Sequence, residues 1–130
     1  MRILLLEDDH TLLLMWKDLL SDEGHEVLST SSLAEATKIV RFEKFDLIIS
    51  DLLLDEEVSL PFLQTAKYIN PDVRMILATG SGWFGCGELT KIAPTIDFTL
   101  RKPVSNQDLL AYVEFLHSPQ KQNQMPRMMA

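Results

Sequence analysis

Three short runs in this chain are apolar without alternation, and each stops at a group able to do chemistry. Ile3 to Leu6 stops at Glu7, Asp-Leu-Ile-Ile-Ser at 46–50 stops at Asp51, and Val73 to Ala78 stops at Thr79. A strand with one wet face alternates apolar and polar residues, whereas a strand covered on both faces does not. Two further strands are predicted at Glu26 to Thr30 and Thr95 to Leu100. The segments between them have helical spacing: Leu12, Met15, Trp16, Leu19 and Leu20 before Gly24; Leu33, Ala36, Ile39 and Val40 after a Ser31 or Ser32 cap with Glu35 in the capping-box position; and Leu60, Leu63, Ala66, Tyr68 and Ile69 with Pro61 in the first turn. Leu109, Leu110, Val113 and Leu116 follow a Ser105 or Asn106 cap in a last helix that reaches His117. Between Gly80 and Pro94 four glycines weaken any helix, and a short one is expected only at 88–93. Strand and helix alternating in short units imply a parallel sheet with helices on both faces, a three-layer α/β/α sandwich over residues 1–117. Residues 118–130 have no pattern and are expected to be a disordered tail.

A chain of 130 residues supports one such domain. Its formal charge of −7 disfavours direct nucleic-acid binding, since phosphates would be repelled. Cys86 is the sole cysteine, so no internal disulfide forms, and His10, His25 and His117 lack zinc-ligand spacing. No apolar stretch approaches the ~18 residues of a membrane span, and Ile3 to Leu6 is too short for a signal-peptide core. The expectation is a cytoplasmic protein with no membrane contact.

In an open α/β sheet ligands bind beyond the carboxyl ends of the strands, where residues distant in sequence meet. Glu7 and Asp8, with Asp9 behind them, follow the first strand; Asp51 follows the third, Thr79 the fourth and Lys102 the fifth. Taken singly, each has an ordinary explanation: an Asp at a strand end is usually a turn or cap, and acids before a helix complement its dipole. Together they place at least three carboxylates, a hydroxyl and an ammonium at one rim. Crowded carboxylates do not all stay ionised without a cation, and an all-oxygen cluster suits Mg²⁺. Mg²⁺ and Lys102 would offset the charge on a transferring phosphoryl group, Thr79 would hydrogen-bond one of its oxygens, and Asp51 would be the nucleophile that becomes an aspartyl phosphate. An Asp-x-Asp phosphohydrolase is disfavoured, because Leu52-Leu53 follows Asp51 without a second acid.

ILLLEDD, FDLIISDLLLDE, MILATGSG and DFTLRKP, in this order, resemble the four signatures of the receiver domain of bacterial two-component response regulators, across Arg2 to about His117. The resemblance implies a CheY-like, flavodoxin-like sheet of strand order 2-1-3-4-5. It also implies Glu7 and Asp8 as the acidic pair for Mg²⁺, Asp51 as phosphoacceptor and third metal ligand, and Leu53 as donor of a backbone carbonyl to the metal. Thr79 takes the place of the switch hydroxyl, Lys102 that of the phosphate-binding lysine, and Pro103 that of a cis-linked proline. The implied activity is acceptance of a phosphoryl group from a phosphohistidine of a sensor kinase or phosphotransfer protein. The resemblance also implies a domain that is not an enzyme in its own right and catalyses only its own phosphorylation and slow dephosphorylation. Output would pass by conformational change to an unidentified protein target, through the fourth helix, fifth strand and last helix, with homodimerisation on phosphorylation as one route. The expectation is a stand-alone, single-domain receiver, with a relay, a phosphate sink or a receiver cut from a longer chain as the alternatives. Two departures stand out. Leu54-Asp55-Glu56 replaces the family's frequent proline, and Thr99 stands three residues before Lys102 where a switch aromatic is usual, with Phe98 one place early. Either a bulge brings Phe98 into place or the aromatic switch is missing, and the second case opens an alternative: a non-phosphorylated pseudo-receiver that acts as a constitutive interaction module.

Overall fold

The computed structural model describes residues 1–80 and 95–117. Five parallel strands form the central sheet: β1 (Arg2–Leu6), β2 (Glu26–Thr30), β3 (Leu47–Asp51), β6 (Arg74–Thr79) and β7 (Phe98–Arg101), in the spatial order β2-β1-β3-β6-β7. With the two-residue strands β4 (Leu53–Leu54) and β5 (Glu57–Val58) set aside, this is the expected 2-1-3-4-5 order. The four helices among the described residues are α1 (His10–Asp22), α2 (Leu33–Phe42), α3 (Leu60–Ile69) and α4 (Asn106–His117). The helix expected at 88–93 and the tail at 118–130 lie outside the described residues.

The unalternating strands are buried on both faces, as their composition requires. Leu4, Leu6, Ile48, Met75 and Leu77 pack beneath α2 and α3, while Ile3, Leu5, Leu47, Ile49, Ile76 and Leu100 pack beneath α1 and α4. Local chemistry fixes the ends of the helices. The Asp9 carboxylate accepts the Leu12 amide at the start of α1 (3.2 Å), and Ser32 and Ser105 cap α2 and α4 through the amides of Glu35 (3.2 Å) and Asp108 (3.0 Å). Gly24, at φ +91°, closes α1 in the left-handed conformation, so that the amides of Gly24 and His25 reach back to the carbonyls of Ser21 and Leu20.

The last strand begins later than its apolar run suggests, at Phe98 instead of Thr95, because Asp97 takes over its first ladder position. The Asp97 carboxylate accepts the Met75 amide (2.7 Å) while its own amide donates to the Met75 carbonyl (2.9 Å). Asp46 does the same at the entrance to β3, accepting from and donating to Arg2 at 2.8 Å each way. The β4–β5 hairpin, which is not foreseen from the sequence, occupies the stretch around Leu54-Asp55-Glu56, where the acids are exposed. Its two-residue loop holds Asp55 at φ +48° and Glu56 at φ +68°. Paired positive φ values mark a type I′ turn, which normally announces itself by Asn-Gly or Asp-Gly. No glycine is present here to signal it.

Candidate phosphoacceptor and cation site

Parallel pairing brings the strand ends level. Leu6 pairs with Ser50, Asp51 with Ala78 and Thr79 with Arg101, so four adjacent strands deliver Glu7 and Asp8, Asp51, Thr79 and Lys102 to one edge. Lys102 turns its ammonium inward between two of the acids, with Nζ 2.7 Å from Asp51 Oδ2 and 2.5 Å from Glu7 Oε1. It follows the end of β7, its amide donates to the Thr79 carbonyl (3.0 Å), and the Lys102–Pro103 peptide is cis. One carboxylate oxygen from each of Glu7, Asp8 and Asp51 lies within 4.8 Å of the others. The structure thus brings Glu7, Asp8, Asp51 and Lys102 together. Thr79 is buried one residue beyond the partner of Asp51, and the Leu53 amide faces Asp51 Oδ1 at 3.4 Å.

The three acids differ in setting. The Glu7 side chain is 1 % exposed, and its second oxygen accepts the Asp9 amide (3.2 Å). Burial pushes its carboxyl above the usual range, against the pull of Lys102. Burial acts in the same direction on Asp8, but the hydrogen bonds from the Asp55 amide and from Glu7 outweigh it and hold that carboxyl below its usual range. Burial would lower the Lys102 ammonium, yet its bonds to Asp51 and Glu7 hold it above the ordinary lysine value. One ammonium against three clustered acids leaves surplus negative charge, open to water only through Asp8 and Asp51. Hard oxygen donors with such a surplus fit a small divalent cation.

Two contributors were not anticipated. Ser59 is fully buried, and although it stands at the N-cap of α3 it makes no side-chain cap. Its hydroxyl instead donates to the Asp51 carbonyl (2.6 Å), which also accepts the Ser50 hydroxyl (2.8 Å). The second is the backbone amide of Asp55, which donates to Asp8 Oδ2 (3.1 Å). A serine before Leu60-Pro61 is a cap signal, so sequence alone has Ser59 accepting a helix amide when it donates to the Asp51 carbonyl. A backbone amide carries no signal at all.

The position of Phe98 decides between the two readings of the switch. β7 pairs with β6 in unbroken register from Phe98 to Arg101, so no bulge moves Phe98, and Thr99 holds the place three before Lys102. Phe98 packs instead on Tyr112 and Phe115 of α4, with ring centroids 4.8 and 5.5 Å away.

The family model described as "Response regulator receiver domain" matches residues 3–114. The receiver domain protein (CheY-like) from Methanospirillum hungatei superposes with a TM-score of 0.81 at 27 % identity, covering 95 % of this chain and 97 % of that one. The transcriptional regulatory protein GlrR of Escherichia coli is 34 % identical over 80 residues, 62 % of this chain but only 18 % of its own length. The response regulator receiver protein CpdR of Brucella abortus is 27 % identical over 113 residues, 87 % of this chain and 93 % of CpdR. The chain therefore spans less than a fifth of GlrR and nearly all of CpdR. The match over residues 3–114, on a sheet of this order with these acids and this lysine at its rim, makes the chain a member of the response regulator receiver domain family.

Proposed function

We propose that this chain is a phosphoryl-accepting receiver whose acceptor is Asp51. A carboxylate oxygen of Asp51 attacks the phosphorus of a phosphohistidine on a sensor kinase or phosphotransfer protein. The P–N bond breaks, the imidazole leaves with a proton, and an acyl phosphate remains on Asp51. Lys102 already bridges Asp51 and Glu7, so it can follow the new charge without leaving the site, and Thr79 is the hydroxyl proposed to hydrogen-bond a phosphoryl oxygen. Asp8, Asp51 and the Leu53 carbonyl are the proposed Mg²⁺ ligands; Glu7, committed to Lys102 and the Asp9 amide, completes the acidic pair from behind. The bound ion supplies positive charge to the developing phosphoryl oxygens. Added charge of about −2 at Asp51 then shifts an existing equilibrium toward a conformation read by another protein, with homodimerisation one possible output.

The observation that carries this reading is Lys102 held within hydrogen-bond distance of both Glu7 and Asp51 in a nearly closed rim. The same domain makes up nearly all of CpdR and a small part of GlrR, so the reading concerns the receiver unit itself. The test is labelling by acetyl phosphate with Mg²⁺: wild type takes up one phosphoryl group and Asp51→Asn none, and label that persists in Asp51→Asn would overturn the assignment. The missing aromatic at position 99 favours a second reading, a constitutive interaction module that is never phosphorylated. A chain that takes no label from acetyl phosphate while binding its partner unchanged would establish that module instead.

A further inference from the structure

The β4–β5 hairpin stands between the two ends of the candidate site and touches both. At its foot Leu52 and Leu54 are buried, and the Ser59 amide closes the loop onto the Leu52 carbonyl (2.8 Å). There the Ser59 hydroxyl holds the carbonyl of Asp51 (2.6 Å). At its tip the Asp55 amide donates to Asp8 Oδ2 (3.1 Å), a contact across 47 residues of sequence. The tip is the costly part: two consecutive non-glycine residues sit at φ +48° and +68°, a conformation disfavoured for side chains with a Cβ. A two-residue hairpin favours this turn type, but Asn or Gly would adopt it at less cost than Asp55 and Glu56 do. The strained turn does aim one N–H at the most exposed acid of the cluster.

We propose that the β4–β5 hairpin is a positioning device for the cation site, with the Asp55 amide holding the Asp8 carboxylate in its ligating orientation and the Ser59 clamp tying that hold to Asp51. This rests on the reading of Asp8 as a cation ligand. The hairpin is built to act by geometry, although its tip is acidic and a purely electrostatic role would run through the same residues. Loss of an outer partner of a metal ligand typically weakens binding about 10- to 100-fold.

The two roles are separated by measuring Mg²⁺ affinity by calorimetric titration, without phosphoryl donor, on folded variants. Asp55→Pro deletes the N–H and cannot adopt a positive φ, and it is expected to bind Mg²⁺ about tenfold or more weakly. If that variant does not fold, an ester in place of the residue-55 amide removes the same N–H with the turn kept and is expected to weaken binding likewise. Glu56→Gly removes an acid but relieves the turn, and it is expected to bind Mg²⁺ as tightly as wild type or more tightly. Wild-type affinity in the proline or ester variant, with binding lost in Asp8→Asn, would overturn the positioning role and leave the site intact. So would a Glu56→Gly variant weakened as much as the proline variant, which would assign the hairpin to charge alone. Equal affinity in wild type and Asp8→Asn, or no binding by wild type, would remove the site and this proposal together.

Discussion

The two ends of the sheet each hold one cation between two carboxylates, and their difference separates a site from a staple. At the amino-terminal end Arg2 bonds Glu26 Oε2 (2.8 Å) and Glu43 Oε1 (2.6 Å), with side chains 39 %, 73 % and 43 % exposed. At the carboxyl end Lys102 bonds Glu7 and Asp51, with side chains 19 %, 1 % and 11 % exposed. The Arg2 guanidinium also reaches the Lys44 carbonyl (2.9 Å) and lies over the Phe45 ring (5.1 Å), so its contacts only pin down strand ends. Lys102 sits where charge is costly to bury and where Asp8 adds a further acid, an arrangement that needs something else to complete it. Ion-pair geometry is the same at both ends; burial and surplus charge distinguish them.

The largest effect that would sharpen this contrast is expected from Lys102→Met. Breaking a buried pair by removing one partner costs about 3–5 kcal/mol, and with Lys102 partly exposed a loss on the order of 2–4 kcal/mol in urea unfolding is expected. A loss as small as that of Arg2→Met would break the contrast. The loss should also depend on pH in a defined direction. Glu7 is already held above its ordinary value by burial, so the folded state binds its proton more tightly than the unfolded state does. Stability from this group therefore falls as pH rises through the carboxylate range. Without Lys102 the fall steepens, so the Lys102→Met deficit should be greater at pH 8 than at pH 5, and a flat difference would place the proton elsewhere.

Next in size is the response to Mg²⁺. Ligand present at a hundredfold over its dissociation constant stabilises the folded state by about 2.7 kcal/mol, and this gain should appear in wild type and vanish in Asp8→Asn. An equal gain in both would mean the ion binds outside the cluster.

A smaller effect is expected beside Met1. Burial, then the Met1 amino group (3.0 Å from His25 Nδ1), hold the His25 imidazole below its ordinary value. The unfolded state takes up that proton first, so stability should decline as pH falls below about 6.5, the ordinary histidine value, and His25→Gln should flatten the decline. The smallest effect is expected from Arg2→Met, whose exposed pairs are screened by solvent. It should shift the unfolding midpoint far less than Lys102→Met does, and 1 M salt should erase most of the shift.

How much was legible in the sequence follows from where each feature is encoded. Unbroken apolar runs at Ile3 to Leu6 and Leu47 to Ile49 encode two-sided burial, and that in turn forces a parallel sheet and puts Glu7, Asp51, Thr79 and Lys102 on one rim. The hairpin was illegible because its turn is made by Asp55 and Glu56 without glycine, and tertiary contacts to Asp8 and Asp51 override the local preference. Ser59 stands where a cap is expected, yet its hydroxyl donates to the Asp51 carbonyl instead of accepting a helix amide. The late start of β7 comes from the Asp97 carboxylate taking the place of a backbone carbonyl, which composition does not show.

The most direct test of the central claim is a map of amide chemical shifts as Mg²⁺ and then beryllofluoride are added. The expected result is saturable change centred on Glu7 to Asp9, Asp51 to Asp55 and Lys102, absent in Asp51→Asn. Spectra that stay unchanged in wild type, or that change equally in Asp51→Asn, would contradict a cation-assisted phosphoacceptor at this rim.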